Sequence, residues 1–130
     1  MNFSFNPFTG TFDLVLDSGI YTVNVLADAD ATLTIASLNQ VYLMNSASDR
    51  IIYLPSVSAT EIGKWVILIK AGAGKLKVDA ADSDTIADST AGGSIECDEG
   101  AVVDRKIGLR LMTATEWELG PECFGIWSTR

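Results

Sequence analysis

KWVILIKAGAGKLKV, residues 64–78, holds the strongest structural signal in the chain. Residues 64–71 are apolar without alternation, and such runs suit strands covered on both faces. AGAGK (71–75) is glycine-rich but is not a phosphate loop. That motif needs a longer loop opening into a helix N-terminus, and here LKV continues as a strand. The stretch therefore reads as strand, tight turn, strand. RIIYLP (50–55) is a second apolar run of the same kind. Two origins fit such runs: the middle of a sandwich, or a face that another subunit covers. On the second origin Ile51, Ile52, Tyr53, Leu54, Trp65, Ile67 and Ile69 are candidate interface residues.

Outward from these runs the period is two. Phe12, Leu14 and Leu16 share one face of TFDLVLD, opposite Asp13 and Asp17. Tyr21, Val23 and Val25 alternate with Thr22 and Asn24, and Leu33 and Ile35 with Thr32 and Thr34. Ile107, Leu109 and Leu111 fall together, as do Trp117 and Leu119. Such alternation marks half-buried strands. Turn residues recur every eight to twelve positions or so, at 17–19, 27–30, 45–49, 72–74, 91–93, 98–100 and 120–121. The helix signal is weak: Ser58 and Glu61 have capping-box spacing, but Gly63 limits this to one turn. The pattern predicts an all-β chain: an antiparallel β-sandwich, jelly-roll-like, with an extended N-terminal arm. Residues 1–13 form the arm and first strand, and 14–130 the sandwich domain.

The arm carries Phe3, Phe5 and Phe8 with Pro7, which argues against a central strand. Either the rings pack back on the domain's own core, or they dock on a partner as an exposed adhesive patch.

With 130 residues, 48% hydrophobic and 20% charged, the chain is long enough for one globular domain. A net charge of −8 speaks against a nucleic-acid partner. Lys64, Lys70, Lys75 and Lys77 cluster in sequence but read as solvated strand faces and edge protection. The N-terminus has neither the basic nor the apolar region of a secretory leader, and no apolar run reaches the roughly 18 residues of a membrane span. No membrane partner is expected.

The chemistry is narrowed by absence. There is no histidine, which removes Ser-His-Asp and Cys-His systems and histidine-held metals. Cys97 and Cys123 lie in no metal-spaced pattern; each reads as a small buried hydrophobe, and the spacing leaves a disulfide between them open. DAADSDTIAD (79–88) begins like a calcium loop but lacks the glycine and terminal glutamate of an EF-hand. A looser site could use Asp79, Asp82, Asp84 or Asp88; the alternative is a polar turn around a short strand at Thr85 and Ile86. Residues 79–104 hold eight acidic side chains and no basic one, so the run must be solvated or neutralised. Glu116 and Glu118 flank Trp117 and, on a strand, lie about 6.5–7 Å apart on one face. That resembles an inverting glycosidase pair, but nothing in a flat strand raises the pKa of one member alone. No cofactor and no catalytic residue are expected.

Three stretches together resemble a module of bacteriophage tail-fibre and related virion proteins: LPSVSATEIGKWVILIKAGAGKLKV, SDTI and TATEWELGPECFGIW. The shared features are Leu54-Pro55 closing a strand, Gly63 before the next strand, the turn at 72–74, the step Asp84-Thr85-Ile86, and Trp117 and Trp127 near the end. FNPFTGTFDLV also resembles N-terminal segments of phage structural proteins. Ser83 stands where that pattern often has glycine. The resemblance covers roughly residues 3–13 and 40–128. It implies a non-enzymatic virion protein made in the host bacterial cytoplasm. It also implies a homotrimer, with Phe3, Phe5, Pro7 and Phe8 docking on a tail or major capsid protein. A short tail-fibre or tail-tip module and a capsid decoration (cement) protein are both consistent with it. In that setting Ile86 points inward and the aspartates face water. A carbohydrate-binding module, with Trp65, Trp117 or Trp127 as stacking platforms for a host surface glycan, is a separate reading.

Overall fold

The computed structural model describes residues 4–6, 11–13, 22–97, 99 and 104–130. In chain order the strands are β1 (Ser4–Asn6), β2 (Thr11–Asp13), β3 (Val23–Val25), β4 (Ala31–Thr32), β5 (Gln40–Met44), β6 (Arg50–Tyr53) and β7 (Trp65–Lys70). There follow β8 (Leu76–Asp79), β9 (Thr85–Ile86), β10 (Ser94–Cys97), β11 (Arg105–Leu111), β12 (Glu116–Phe124) and β13 (Trp127–Thr129). One sheet runs β3-β5-β7-β11-β12-β9 and the other β13-β10-β8-β6-β4, while β1 and β2 pair as a two-stranded sheet of their own. The only helical turns among the described residues are 3-10, at Ile35–Ser37 and Ala59–Glu61.

The all-β expectation holds, and the purely antiparallel one is corrected: both large sheets are mixed. From β3 to β10 each strand leaves one sheet for the other, and up to β8 strands two apart in sequence lie side by side. β3, β5 and β7 are parallel neighbours, and β4, β6 and β8 likewise. The chain thus winds as a flattened coil, and its later strands add the antiparallel pairs β7-β11, β11-β12, β8-β10 and β10-β13. Alternation and turn spacing are the same for a hairpin and for a corner that crosses between sheets, so the sequence pattern did not separate them. Within the arm, the described residues pair as two antiparallel strands, Ser4–Asn6 with Thr11–Asp13.

The corners stack backbone on backbone. Ala71 N–H donates to the Met44 carbonyl and Gly74 N–H to that of Ser46, both at 2.9 Å. Aspartates complete the stack: Asp30 Oδ1 accepts from Ile51 N–H, and Asp49 Oδ1 from Lys75 N–H, each at 2.9 Å. A Cβ on Gly72 would overlap the Ser46 backbone, and one on Gly74 the Ser48 carbonyl. AGAGK therefore owes its glycines to this close approach.

Inward positions of the two sheets form one core. Tyr42, Met44, Val66, Leu68, Ile107, Leu109, Leu111 and Trp117 meet Ile52, Leu76, Val78 and Ile95. Fully burying each aliphatic stabilises by about 1.5–3 kcal/mol. Two sequence expectations shift. ATLTIA is a strand only through Thr32, because Ser37 Oγ accepts from Thr34 N–H at 3.0 Å and turns the chain into a 3-10 helix. The turn expected at Gly120-Pro121 lies within β12. Gly108 pairs with Gly120 and Ile107 with Cys123, so Pro121 and Glu122 bulge out of the ladder, a position where proline's missing donor is tolerated.

Gly74→Ala should destabilise the domain by about 1–3 kcal/mol or more through overpacking at the corner, whereas Ala73→Gly, at an exposed position beside it, should cost less. Urea unfolding of the two variants beside the parent checks this; equal midpoints would mean that the corners do not stack.

Candidate functional surface

The acidic loop was the first candidate. Ile86 is fully buried, as expected, and β9 pairs in parallel with β12 through Thr85–Glu116 and Ile86–Trp117. Asp82 and Asp88 are exposed, and their carboxylates accept from Ser56 Oγ and Thr129 Oγ1. Asp84 departs from the expectation that the aspartates face water: it is 4% exposed, and its Oδ2 has no hydrogen-bond partner among the described residues. Burial, reinforced by the charge of Asp82, pushes its carboxyl above the ordinary aspartate range. No group of three His, Cys, Asp or Glu side chains able to hold a metal ion occurs among the described residues.

The glutamate pair behaves differently from the flat-strand argument. Partial burial pushes Glu118 above the usual carboxylate range, and a hydrogen bond and charge from Glu116, with a further charge from Asp88, add to it. The neighbour in register with Glu118 is Arg110, whose Nη1 donates to the Gly63 carbonyl at 3.1 Å.

The tryptophans separate into two kinds. Trp117 is fully buried between the sheets, which removes it as a stacking platform. Trp127 is half-buried, packs against the core and donates from Nε1 to the Phe124 carbonyl at 3.2 Å; Trp65 is half-buried on β7. Cys97 is buried and Cys123 exposed, and both are free thiols, so the disulfide left open by the spacing does not form. The lysines do not form one patch either. Lys70 is 1% exposed and donates to the Gly72 carbonyl at 2.8 Å, and burial lowers its pKa. Its inward place follows from parity with Val66 and Leu68, a signal already present in the alternation.

The candidate interface residues divide by face. Ile52 and Leu54 belong to the chain's own core. Ile67 is buried at 2% exposure but outside that core; Ile51, Trp65 and Ile69 are half-buried, and Tyr53 is 38% exposed. The docking-arm residues Phe3, Pro7 and Phe8 lie outside the described residues, and Phe5 lies in β1, paired with Phe12.

Two features were not legible in the sequence. Glu99 holds Arg105 through two contacts of 2.9 and 3.1 Å and accepts from Ile126 N–H at 2.7 Å, while the guanidinium lies 4.7 Å from the Phe124 ring centroid. The Arg105 hydrogen bond holds the Glu99 carboxyl below its ordinary range. Beside this clamp Ile69, Asp104, Lys106, Glu122, Cys123 and Phe124 line an open cleft of about 690 Å3. Two of its charges pair with each other, Lys106 Nζ with Glu122 Oε1 at 2.6 Å. The Cys123 thiol donates to the Gly108 and Gly120 carbonyls at 3.7 Å. A nucleophile poised for catalysis needs a base within hydrogen-bond reach, and those carbonyls cannot act as one.

Exposed apolar side chains gather toward the C-terminal end. Leu119, Phe124 and Ile126 are 53%, 54% and 62% exposed. β9 pairs with β12 at Glu116 and Trp117, and among the described residues no strand lies beside this side of β12 beyond Trp117. No protein-family model matches the chain, and no curated protein matches it either.

Asp84 gives a pH signature. Its folded pKa is raised, so the protonated form contributes stability at low pH, and that contribution is lost as pH rises through the folded value. Asp84→Asn should therefore melt a few degrees above the parent at pH 7, with the gap closing as pH falls through the carboxylate range. Thermal melts at several pH values check this; a gap independent of pH would place the effect elsewhere.

Proposed function

We propose that this chain is a non-enzymatic structural module of a bacteriophage virion, assembled as a homotrimer and used as a short tail-fibre or tail-tip element. The observation that carries the reading is a set of exposed apolar side chains near the C-terminal end: Leu119, Phe124 and Ile126 are each more than half exposed, and the edge of β12 beyond Trp117 is unpaired among the described residues. An unpaired strand edge is a template for association, and exposed apolar side chains of this size are normally covered. The motif resemblance around residues 54–86 and 113–127 supports the virion assignment. Residues 1–13, with Phe3, Phe5, Pro7 and Phe8, serve as the attachment arm to a tail or capsid protein.

Capsid decoration is the second placement, consistent with the same motif resemblance. Electron microscopy of particles lacking the protein separates the two: intact tails with destabilised heads would overturn the fibre placement.

Light scattering of the purified chain should give the mass of a trimer, and Leu119→Lys with Ile126→Glu should shift it toward the monomer by weakening the apolar contact. A parent that is monomeric at micromolar concentration would remove the reading. Glu116→Gln with Glu118→Gln should leave particle assembly and infection unchanged; loss of a polysaccharide-cleaving activity in that variant would instead make the chain an enzyme.

A further inference from the structure

The outward surface over β3, β5 and β7 differs in chemistry from the rest of the two sheets, where charged residues such as Lys106, Arg110 and Glu118 face outward. On the five-stranded sheet the outward positions include Lys77, Asp79 and Glu96, tied by the pairs Lys77–Asp79 at 3.6 Å and Arg130–Glu96 at 3.2 Å. On the six-stranded sheet, period two and the register place Val23, Val25, Val41, Leu43, Ile67 and Ile69 together on the outward face. Exposure falls toward the middle of this aliphatic band: Val25 is 73% and Val23 43% exposed on the edge strand, whereas Val41 is 3% and Ile67 2%. Val41 and Ile67 are not part of the interior cluster, so their cover comes from outside the sandwich.

We propose that this face is the seat of the chain's own N-terminal hairpin, with Phe5 and Phe12 laid over Val41 and Ile67. The hairpin has the required pattern. Phe5 is paired with Phe12, and the flanking pairs, Ser4 with Asp13 and Asn6 with Thr11, are polar. Cross-strand partners share a face and neighbours along a strand alternate, so the two phenylalanine positions fall on one side and the four polar positions on the other. A two-stranded hairpin is marginal alone in water and needs an apolar surface to rest on. The connection allows it. Residues 14–21 lead directly into β3, the edge strand of the same face, and can span roughly 27 Å at full extension, whereas β3 to β7 is about 10 Å. Burial of Val41 and Ile67 within a single chain favours this occupant over a second copy. The proposal goes beyond the virion reading and does not depend on it; it withdraws Phe5 from attachment, which then falls to the rest of the arm.

The test is thiol accessibility on the full chain. In a Cys123→Ser background, Ile67→Cys places a thiol at the centre of the face, and Leu43→Cys serves if that variant does not fold. Maleimide labelling should be slow in the otherwise unchanged chain, equally slow on dilution to nanomolar concentration, and about tenfold or more faster once Phe5→Ser and Phe12→Ser are added. Fast labelling with both phenylalanines present, or a rate indifferent to their replacement, would overturn the proposal. Protection that disappears on dilution would overturn it in favour of a second copy as the occupant.

Discussion

The corner at residues 71–75 lies directly on the corner at 45–49, backbone against backbone, and this approach sets the geometry of both sheets. Parallel strands two apart in sequence can pair only if the corners joining them to the opposite sheet also stack at strand spacing. A side chain at Gly72 or Gly74 would hold those corners apart. Asp30 and Asp49 then satisfy amides of the next coil that the strand ladder does not reach. With the corners fixed, β5 and β7 bring Tyr42, Met44, Val66 and Leu68 to the interior, facing Ile52, Leu76 and Val78 across the gap.

The same winding explains the polar groups that sit inside. Lys70 ends β7 on its inward side because Val66 and Leu68 must be there, and its amine reaches the Gly72 carbonyl at the corner. Asp84 is drawn under the loop that brings β9 beside β12, leaving Oδ2 without a partner among the described residues. Neither group lies in the cleft around Cys123, where Lys106 pairs with Glu122.

The surfaces are of three kinds. The outward face of the five-stranded sheet carries paired charges along its strands. The outward face of the six-stranded sheet is aliphatic across β3, β5 and β7, with Val41 and Ile67 buried, and charged across β11 and β12, at Lys106, Arg110, Glu116 and Glu118. Among the described residues β12 is unpaired on one side beyond Trp117, near the exposed Leu119, Phe124 and Ile126 in sequence, and the Pro121–Glu122 bulge interrupts its ladder with β11 on the other side. Bulges of this sort limit how far a foreign strand can pair along an edge. The clamp of Glu99, Arg105 and Ile126 N–H beside it fixes the path from β12 into β13 at Gly125, whose φ of 109° suits glycine alone.

Strand content, strand positions and the sides of most core residues were legible in the sequence, because burial of one face imposes period two on any strand, whatever its partner. KWVILIKA was legible as a strand covered on both faces, since neither parity is polar until Lys70. Strand direction was not: AGAGK reads alike as a hairpin turn and as a corner between sheets, and only contact with residues 46 and 48 shows which it is. The same holds for Gly120-Pro121, a turn by composition and a bulge by pairing with β11, and for Glu118, whose carboxyl responds to partial burial and to Glu116 and Asp88 around it. Local pattern determined which residues form strands and which way they face. Pairing between distant strands decided the winding, the buried Asp84 and the aliphatic face, because those depend on which backbone lies next to which.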